Sequence, residues 1–158
     1  MKISEYNRSA WDKQVEQKNI WTQPVNEDLI KKARNGEWQL KASPMKPVPR
    51  VWFGDVKGKD ILCLASGGGQ QGPILAAAGA NVVVFDNSPK QLAQDTFLAE
   101  RDDLNIRTEL GDILDLSRFA AESFDFILNL GIGNVENIEN IFQECYRITK
   151  LHGVMIML

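Results

Sequence analysis

Ile61-Leu62-Cys63-Leu64-Ala65-Ser66-Gly67-Gly68-Gly69-Gln70-Gln71-Gly72 is the stretch that decides the fold. A short apolar run stops at three adjacent glycines and leads straight into an alanine-rich segment, about 71–79, of helical character. Four to eight apolar residues bounded by turn signals mark a buried strand, so the order here is strand, tight loop, helix. The same unit recurs downstream. Asn81-Val82-Val83-Val84-Phe85 is a β-branched run ending at Asp86, and a helix to about 102 follows, with Ser88 as its N-cap and Pro89 at its first position. Residues 106–110 and 124–130 read as a third and a fourth strand. A helix over about 135–150 carries Ile138, Ile141, Phe142, Cys145 and Ile148 at helical spacing, and 153–158 is a fifth strand. Apolar strands alternating with helices predict an α/β fold, a Rossmann-like doubly wound parallel sheet covered on both faces. Right-handed crossovers then bring every strand-to-helix loop to one sheet edge, where ligands of such sheets bind. That edge holds 65–71, 86–88, 111–113 and 129–134.

Upstream of residue 55 the pattern is different. Residues 1–54 are polar, contain all four tryptophans, and end in a connector with Pro44, Pro47 and Pro49 that cannot continue a helix. Short helices are expected over 4–18 and 26–35, the second capped by Asn26. The division predicted is an N-terminal helical cap, 1–54, and a ligand-binding α/β domain, 55–158.

Composition narrows the function. The chain has 158 residues, 44% of them hydrophobic and 25% charged, which suits one globular domain with its own core. No stretch approaches a membrane span, and the start, MKISEYNRSAWDK, lacks the apolar region of a signal peptide. With 18 basic and 21 acidic residues the net charge is −3, without the basic surplus of a nucleic-acid binder. Cys63 and Cys145 lie in apolar runs without metal-ligand spacing, and there is one histidine. A cytoplasmic protein with reduced thiols, no metal, no membrane and no nucleic-acid partner is expected.

Two cofactors compete for the glycine loop. Gly67, Gly69 and Gly72 satisfy G-x-G-x-x-G, and Asp86 follows Gly67 by 19 residues, the spacing of a dinucleotide-binding fingerprint. A tight turn with no ligand would satisfy it too. S-adenosylmethionine has no pyrophosphate, so its loop would pack on methionine and ribose while Asp86 takes the ribose hydroxyls. Three further segments bear on the choice: Leu110-Gly111-Asp112-Ile113-Leu114-Asp115-Leu116, Glu122-Ser123-Phe124-Asp125-Phe126-Ile127, and Glu144-Cys145-Tyr146-Arg147-Ile148-Thr149-Lys150. Together they resemble the class I S-adenosylmethionine-dependent methyltransferases, in particular the "methyltransferase type 11" group, over about 55–158. The chain departs from that pattern in four places. Cys63 stands where the family has an acid, Ala65 replaces the first glycine, and Lys150-Leu151-His152-Gly153 replaces a lysine-proline-glycine-glycine turn. The family sheet has seven strands, whereas five are legible here, in the order 3-2-1-4-5.

The resemblance implies S-adenosyl-L-methionine as cofactor, a small-molecule methyl acceptor, and a cofactor site made of Ala65, Ser66, Gly67, Gly69, Asp86, Asn87, Gly111, Asp112, Ile113 and Asn129. Asp86 would hold the ribose. Asp112 would meet adenine, or else cap a short helix near 116–121. Asn134 would face the acceptor or cap the last helix. Tyr6 and Trp11 are the lid or acceptor candidates, by cation–π contact or simply by packing. No catalytic base is legible, because His152 falls at the opposite sheet edge. A module that binds the cofactor without catalysis and an NAD-dependent oxidoreductase stay open as alternatives. The fifth strand has no charge, proline or bulge signal to protect an edge, so a homodimer through that strand is a further expectation.

Overall fold

The computed structural model describes residues 2–43, 46–130 and 135–157, with the side chains of Ala42 and Ser43 left aside. Five parallel strands make the main sheet: β3 (Asp60–Leu64), β4 (Asn81–Asp86), β5 (Ile106–Leu110), β6 (Phe124–Asn129) and β7 (Thr149–Met157). Their spatial order is β5-β4-β3-β6-β7, the predicted 3-2-1-4-5 arrangement. The order reverses between β3 and β6, which makes the carboxyl end of β3 the switch point.

Alternation along β3 explains the continuous apolar run. Ile61 and Cys63 point into a core shared with α2 (Glu27–Arg34) and α3 (Gln71–Ala77), while Leu62 and Leu64 join Ile141, Cys145 and Ile148 of α5 (Ile138–Ile148) on the other face. All four of those β3 side chains have no exposed surface. Each strand-to-helix turn has its own local cause. Asn26 Oδ1 accepts from Leu29 N at 3.0 Å and caps α2 as predicted. Ser88 Oγ accepts from Gln91 N at 3.1 Å and caps α4 (Pro89–Asp102), with Pro89 in the first turn. The helix α1 (Ile3–Glu16) has no fully buried residue and packs against α4 through polar contacts: Ser88 Oγ donates to Asp12 Oδ1 at 2.6 Å, Asn87 Nδ2 donates to the Ser4 carbonyl at 3.1 Å, and Lys90 pairs with Glu16.

Several boundaries differ from the sequence reading. The expected extended connector folds back as β1 (Lys41–Ser43) against β2 (Lys46–Pro47), an antiparallel pair. No helix forms over 116–121; turns there place Leu116 and Phe119 in the core. The last helix starts at Ile138, capped by Asn137, whose Oδ1 accepts from Asn140 N. Asn134 lies outside the described residues. That helix also ends earlier, because Thr149 takes an extended conformation and opens β7 directly. The pairing of β7 with β6 jumps from Phe124↔Thr149 to Phe126↔Val154, so the intervening Lys150-Leu151-His152-Gly153 bulges, with His152 at φ 66°.

That bulge has a purpose at the amino end of the sheet. Lys150 Nζ bridges Asp60 Oδ2 at 2.7 Å and Asp125 Oδ2 at 3.0 Å, tying β3, β6 and β7 together. Its ammonium holds the Asp60 carboxyl below the usual range. At the lateral edge, Val154 and Met155 of β7 are 40% and 37% exposed, beside half-exposed Trp52. Ile156 lies on the same edge strand and turns its side chain into the core.

Candidate functional site

A cavity of about 220 Å³ opens at the switch point. Its lining includes Ala65, Ser66, Gly67, Asp86, Asn87, Gly111 and Ile113, seven of the predicted cofactor residues, together with Trp11 from the predicted lid. Gly69, Asp112, Asn129 and Tyr6 do not line it. Gly69 turns its N–H away, to a buried carboxylate, and Asp112 Oδ1 accepts from Leu114 N in a local turn. Asn129 is fully buried and donates from Nδ2 to the Leu64 carbonyl at 2.7 Å, which fixes the ends of β6 and β3 to each other. Tyr6 is 61% exposed on α1.

The loop is shaped by steric exclusion. A Cβ on Gly67 would stand 2.7 Å from Gln91 Cβ, one on Gly72 2.7 Å from Val84 Cγ2, and one on Gly111 2.4 Å from Phe85 Cζ. The G-x-G-x-x-G spacing therefore records helix-on-sheet packing at Gly72 as much as any contact with a ligand. Ala65 adopts φ 47°, a left-handed conformation that favours glycine, and its N–H donates to the Phe85 carbonyl at 2.7 Å. The residue standing in the family's first-glycine position thus adopts a backbone conformation that favours glycine.

Two carboxylates hold the loop. Asp86 Oδ2 accepts from Gly67 N at 2.9 Å, and Oδ1 from Ser88 N at 2.9 Å. Burial raises its carboxyl above the ordinary range, against those N–H groups, and the charge of Asp12 acts in the same direction as burial. The backbone of Asn87 is a further donor to it, and the carboxylate, with about four acceptor sites in all, is part of the cavity lining. The second carboxylate was not foreseen. Asp95, in the middle of α4 with no exposed surface, accepts from Gly68 N at 2.9 Å and Gly69 N at 3.1 Å through Oδ2. Its Oδ1 has no hydrogen-bond partner among the described residues, and burial pushes the carboxyl up to about 7. The sequence did hold a signal: Leu92, Asp95 and Leu98 fall three apart, so Asp95 sits on the apolar stripe of its helix.

Gln70, Gln71, Trp21 and Gln91 also line the cavity. The Gln70 amide donates to the carbonyls of Ile20 at 2.8 Å and Gln23 at 3.1 Å, fastening the N-terminal segment over the start of α3. Gly69 O accepts from Val25 N at 2.9 Å in the same fastening. His152 is exposed on the bulge at the far end of the sheet, as its place in the sequence predicts. Among the described residues no group of three His, Cys, Asp or Glu side chains could hold a metal ion.

Residues 62–157, from β3 through β7, match the family described as a methyltransferase domain. The chain belongs to that family. The Bacillus subtilis protein named "uncharacterized methyltransferase YbaJ" is 52% identical over 153 residues, covering 96% of this chain and 60% of that protein. A Pyrococcus horikoshii crystal structure, the PH0226 protein, is 29% identical over 69% of this chain and 52% of its own, with a TM-score of 0.60. An S-adenosylmethionine-dependent methyltransferase from Mesorhizobium loti is 27% identical over 67% of this chain and 49% of its own, with a TM-score of 0.57. The chain thus spans about half to three-fifths of the length of these relatives. A Methanococcus maripaludis structure at 15% identity and TM-score 0.63 shares the fold over 99% of the chain, cap included. Within this methyltransferase-family domain the glycine loop and Asp86 lie together at the carboxyl edge of the sheet. Family membership also decides against the oxidoreductase reading of the glycine spacing.

Proposed function

We propose that the protein binds S-adenosyl-L-methionine in the cavity at the switch point and transfers its methyl group to a small-molecule acceptor. The observation that supports this best is the pairing of a glycine cradle with Asp86, the carboxylate in the cavity lining that can accept from a ribose hydroxyl. Gly67 and Gly111 line the cavity as bare backbone, packed so closely on Gln91 and Phe85 that no side chain fits there. Trp11 and Asn7 of α1 close the cavity from the cap side. When bound, S-adenosylmethionine supplies a methyl group on a positively charged sulfur, ready for in-line displacement. Positioning and exclusion of water can then carry most of the rate. Among the described residues the cavity lining offers Asp86 as its one ionisable side chain, and the mechanism assigns that group to binding.

Titration calorimetry with S-adenosylhomocysteine tests the reading. Saturable binding is expected, and no binding at millimolar ligand overturns it. Methyl transfer from a labelled donor to pooled metabolites separates an enzyme from a module that only binds the cofactor.

The remaining parts of the reading rest on the surface and the thiols. No helix among the described residues is long and apolar enough to cross a membrane. Cys63 and Cys145 are buried and unpaired, and burial pushes both thiols up, that of Cys145 to about 11, so both stay protonated and unreactive; a cytoplasmic location is part of this reading. A net charge of −3 disfavours nucleic acid as partner. The open ladder of β7, flanked by Val154, Met155 and Trp52, supports a homodimer of isologous β7 edges. Light scattering at micromolar protein is expected to give a dimer that Met155→Lys converts to monomer. A monomeric wild type overturns the pairing.

A further inference from the structure

A second cavity, about 540 Å³ in volume, adjoins the first and shares Trp21, Gln70 and Gln71 with it. We propose that this cavity is the methyl-acceptor site, and that the acceptor is a neutral, largely apolar ring compound carrying one nucleophilic heteroatom. The inference rests on the functional reading above.

Size comes first. The volume lies within the roughly 300–1,000 Å³ of small-molecule sites. The walls are indole and hydrocarbon: Trp21, Trp38, Val25, Leu29 and Ile74. Trp38 is held from two sides, with the Arg50 guanidinium 4.5 Å over its ring and Phe53 edge-on at 5.5 Å, so it offers a fixed aromatic wall. The uncharged polar groups of the lining are Gln39, Gln70 and Gln71, set among these apolar walls; such a wall selects ligands that are apolar over most of their surface, because a wholly polar ligand would lose its water without replacement.

Charge comes second. The ionisable groups lining the cavity are Glu37 and Lys41, one of each sign. They offer no net charge to attract an ionic acceptor, so a neutral one fits.

Orientation comes third. Gln70 spends its amide on Ile20 and Gln23, whereas Gln71, half-buried at the junction of the two cavities, makes no side-chain hydrogen bond among the described residues. Its amide is the polar handle that can turn an acceptor's heteroatom toward the cofactor, which makes Gln71 a positioning residue. In the step itself, a lone pair of that heteroatom forms the new bond to the methyl carbon. The carbon–sulfur bond breaks with its electron pair remaining on sulfur as a neutral thioether. The heteroatom's proton passes to water at the open rim.

The test uses the protein saturated with S-adenosylhomocysteine and the probe 1-naphthol, with glycine as the polar comparator. Naphthol is expected to shift the indole N–H resonances of Trp21 and Trp38 saturably at or below about 1 mM, an affinity of roughly 4 kcal/mol, and glycine to leave them in place. Leu29→Glu changes a rim residue that is 43% exposed, so the fold tolerates it. It should weaken naphthol about tenfold or more and leave S-adenosylhomocysteine affinity unchanged; Ile74→Phe should do the same by filling the cavity. With the labelled methyl donor, Gln71→Leu should lower the naphthol methylation rate about tenfold, a larger effect than its effect on either affinity. Failure of wild type to bind S-adenosylhomocysteine overturns the functional reading and this one with it. Binding of S-adenosylhomocysteine without a naphthol response, naphthol binding unaffected by Leu29→Glu, or methyl transfer to glycine and not to naphthol overturns the acceptor site alone.

Discussion

Asp86→Ala is expected to weaken S-adenosylhomocysteine binding at least tenfold, about 1.4 kcal/mol, in a calorimetric titration. The loss has two parts. Removing the carboxylate takes away the acceptors for the ribose hydroxyls, and it strands Gly67 N and Ser88 N, which Asp86 now accepts at 2.9 Å each. A buried donor left without a partner costs about 1–3 kcal/mol, so the variant should also unfold at lower urea concentration. Asp86→Asn separates the parts. It keeps the volume but presents an NH₂ group to one of those two N–H donors, so binding should stay weak although no cavity is created. The charge matters as well. Burial raises the Asp86 carboxyl above its ordinary range, and ribose hydroxyls donate best to the ionised form. Affinity should therefore fall as the pH is lowered through the carboxylate range, more steeply in wild type than in Asp86→Asn. Binding by Asp86→Ala that matches wild type would remove the ribose role.

The fold was legible where local rules and the hydrophobic pattern agree. Strands buried on both faces give unbroken apolar runs, so β3, β4 and β6 were found with nearly correct ends. Ser88-Pro89 and Asn26 mark helix starts by chemistry that needs no tertiary partner. Less was legible where long-range contacts override a local signal. Thr149 and Lys150 continue the helical spacing of α5, yet Lys150 reaches Asp60 and Asp125, and the chain leaves the helix two residues early to make that junction. The turns over 116–121 bury Leu116 and Phe119 in a place that only the assembled sheet creates. In the site, glycines and Asp86 could be read from their spacing. Asn129 lies at the end of a cavity-facing strand by sequence, but its amide is used inside the sheet, on the Leu64 carbonyl. The N-terminal tryptophans divide by geometry that composition does not carry: Trp11 and Trp21 line the first cavity, whereas Trp38 supports the second and Trp52 lies by the β7 edge.

Asp95→Ala should be the more disruptive change, although Asp95 does not line the cavity. Its Oδ2 is an acceptor for both Gly68 N and Gly69 N; Gly68 N has a second acceptor in the Gln91 carbonyl at 3.2 Å, whereas Gly69 N has no other acceptor among the described residues. The alanine variant strands that donor and leaves a void beside Gly72, together on the order of 2–4 kcal/mol. A loosened 67–69 segment should also weaken S-adenosylhomocysteine about tenfold. Asp95→Asn tells positioning from charge, because its amide oxygen can still accept from both glycines; it should keep most of the stability and affinity. The same variant carries a pH signature. Burial pushes the Asp95 carboxyl from its ordinary 3.8 up to about 7, and the charge of Asp86 acts in the same direction. Between those two values the folded protein holds a proton that the unfolded chain has released, so this group's contribution to stability falls as pH rises and levels off above about 7. The groups facing it are Asp86 and the Cys63 thiol, which burial first and the Asp95 charge second push up. Urea unfolding at pH 5 and pH 8 should therefore show Asp95→Asn gaining on wild type at the higher pH. An equal difference at both pH values would mean that Asp95 stays ionised throughout, with the two glycine N–H groups outweighing its burial.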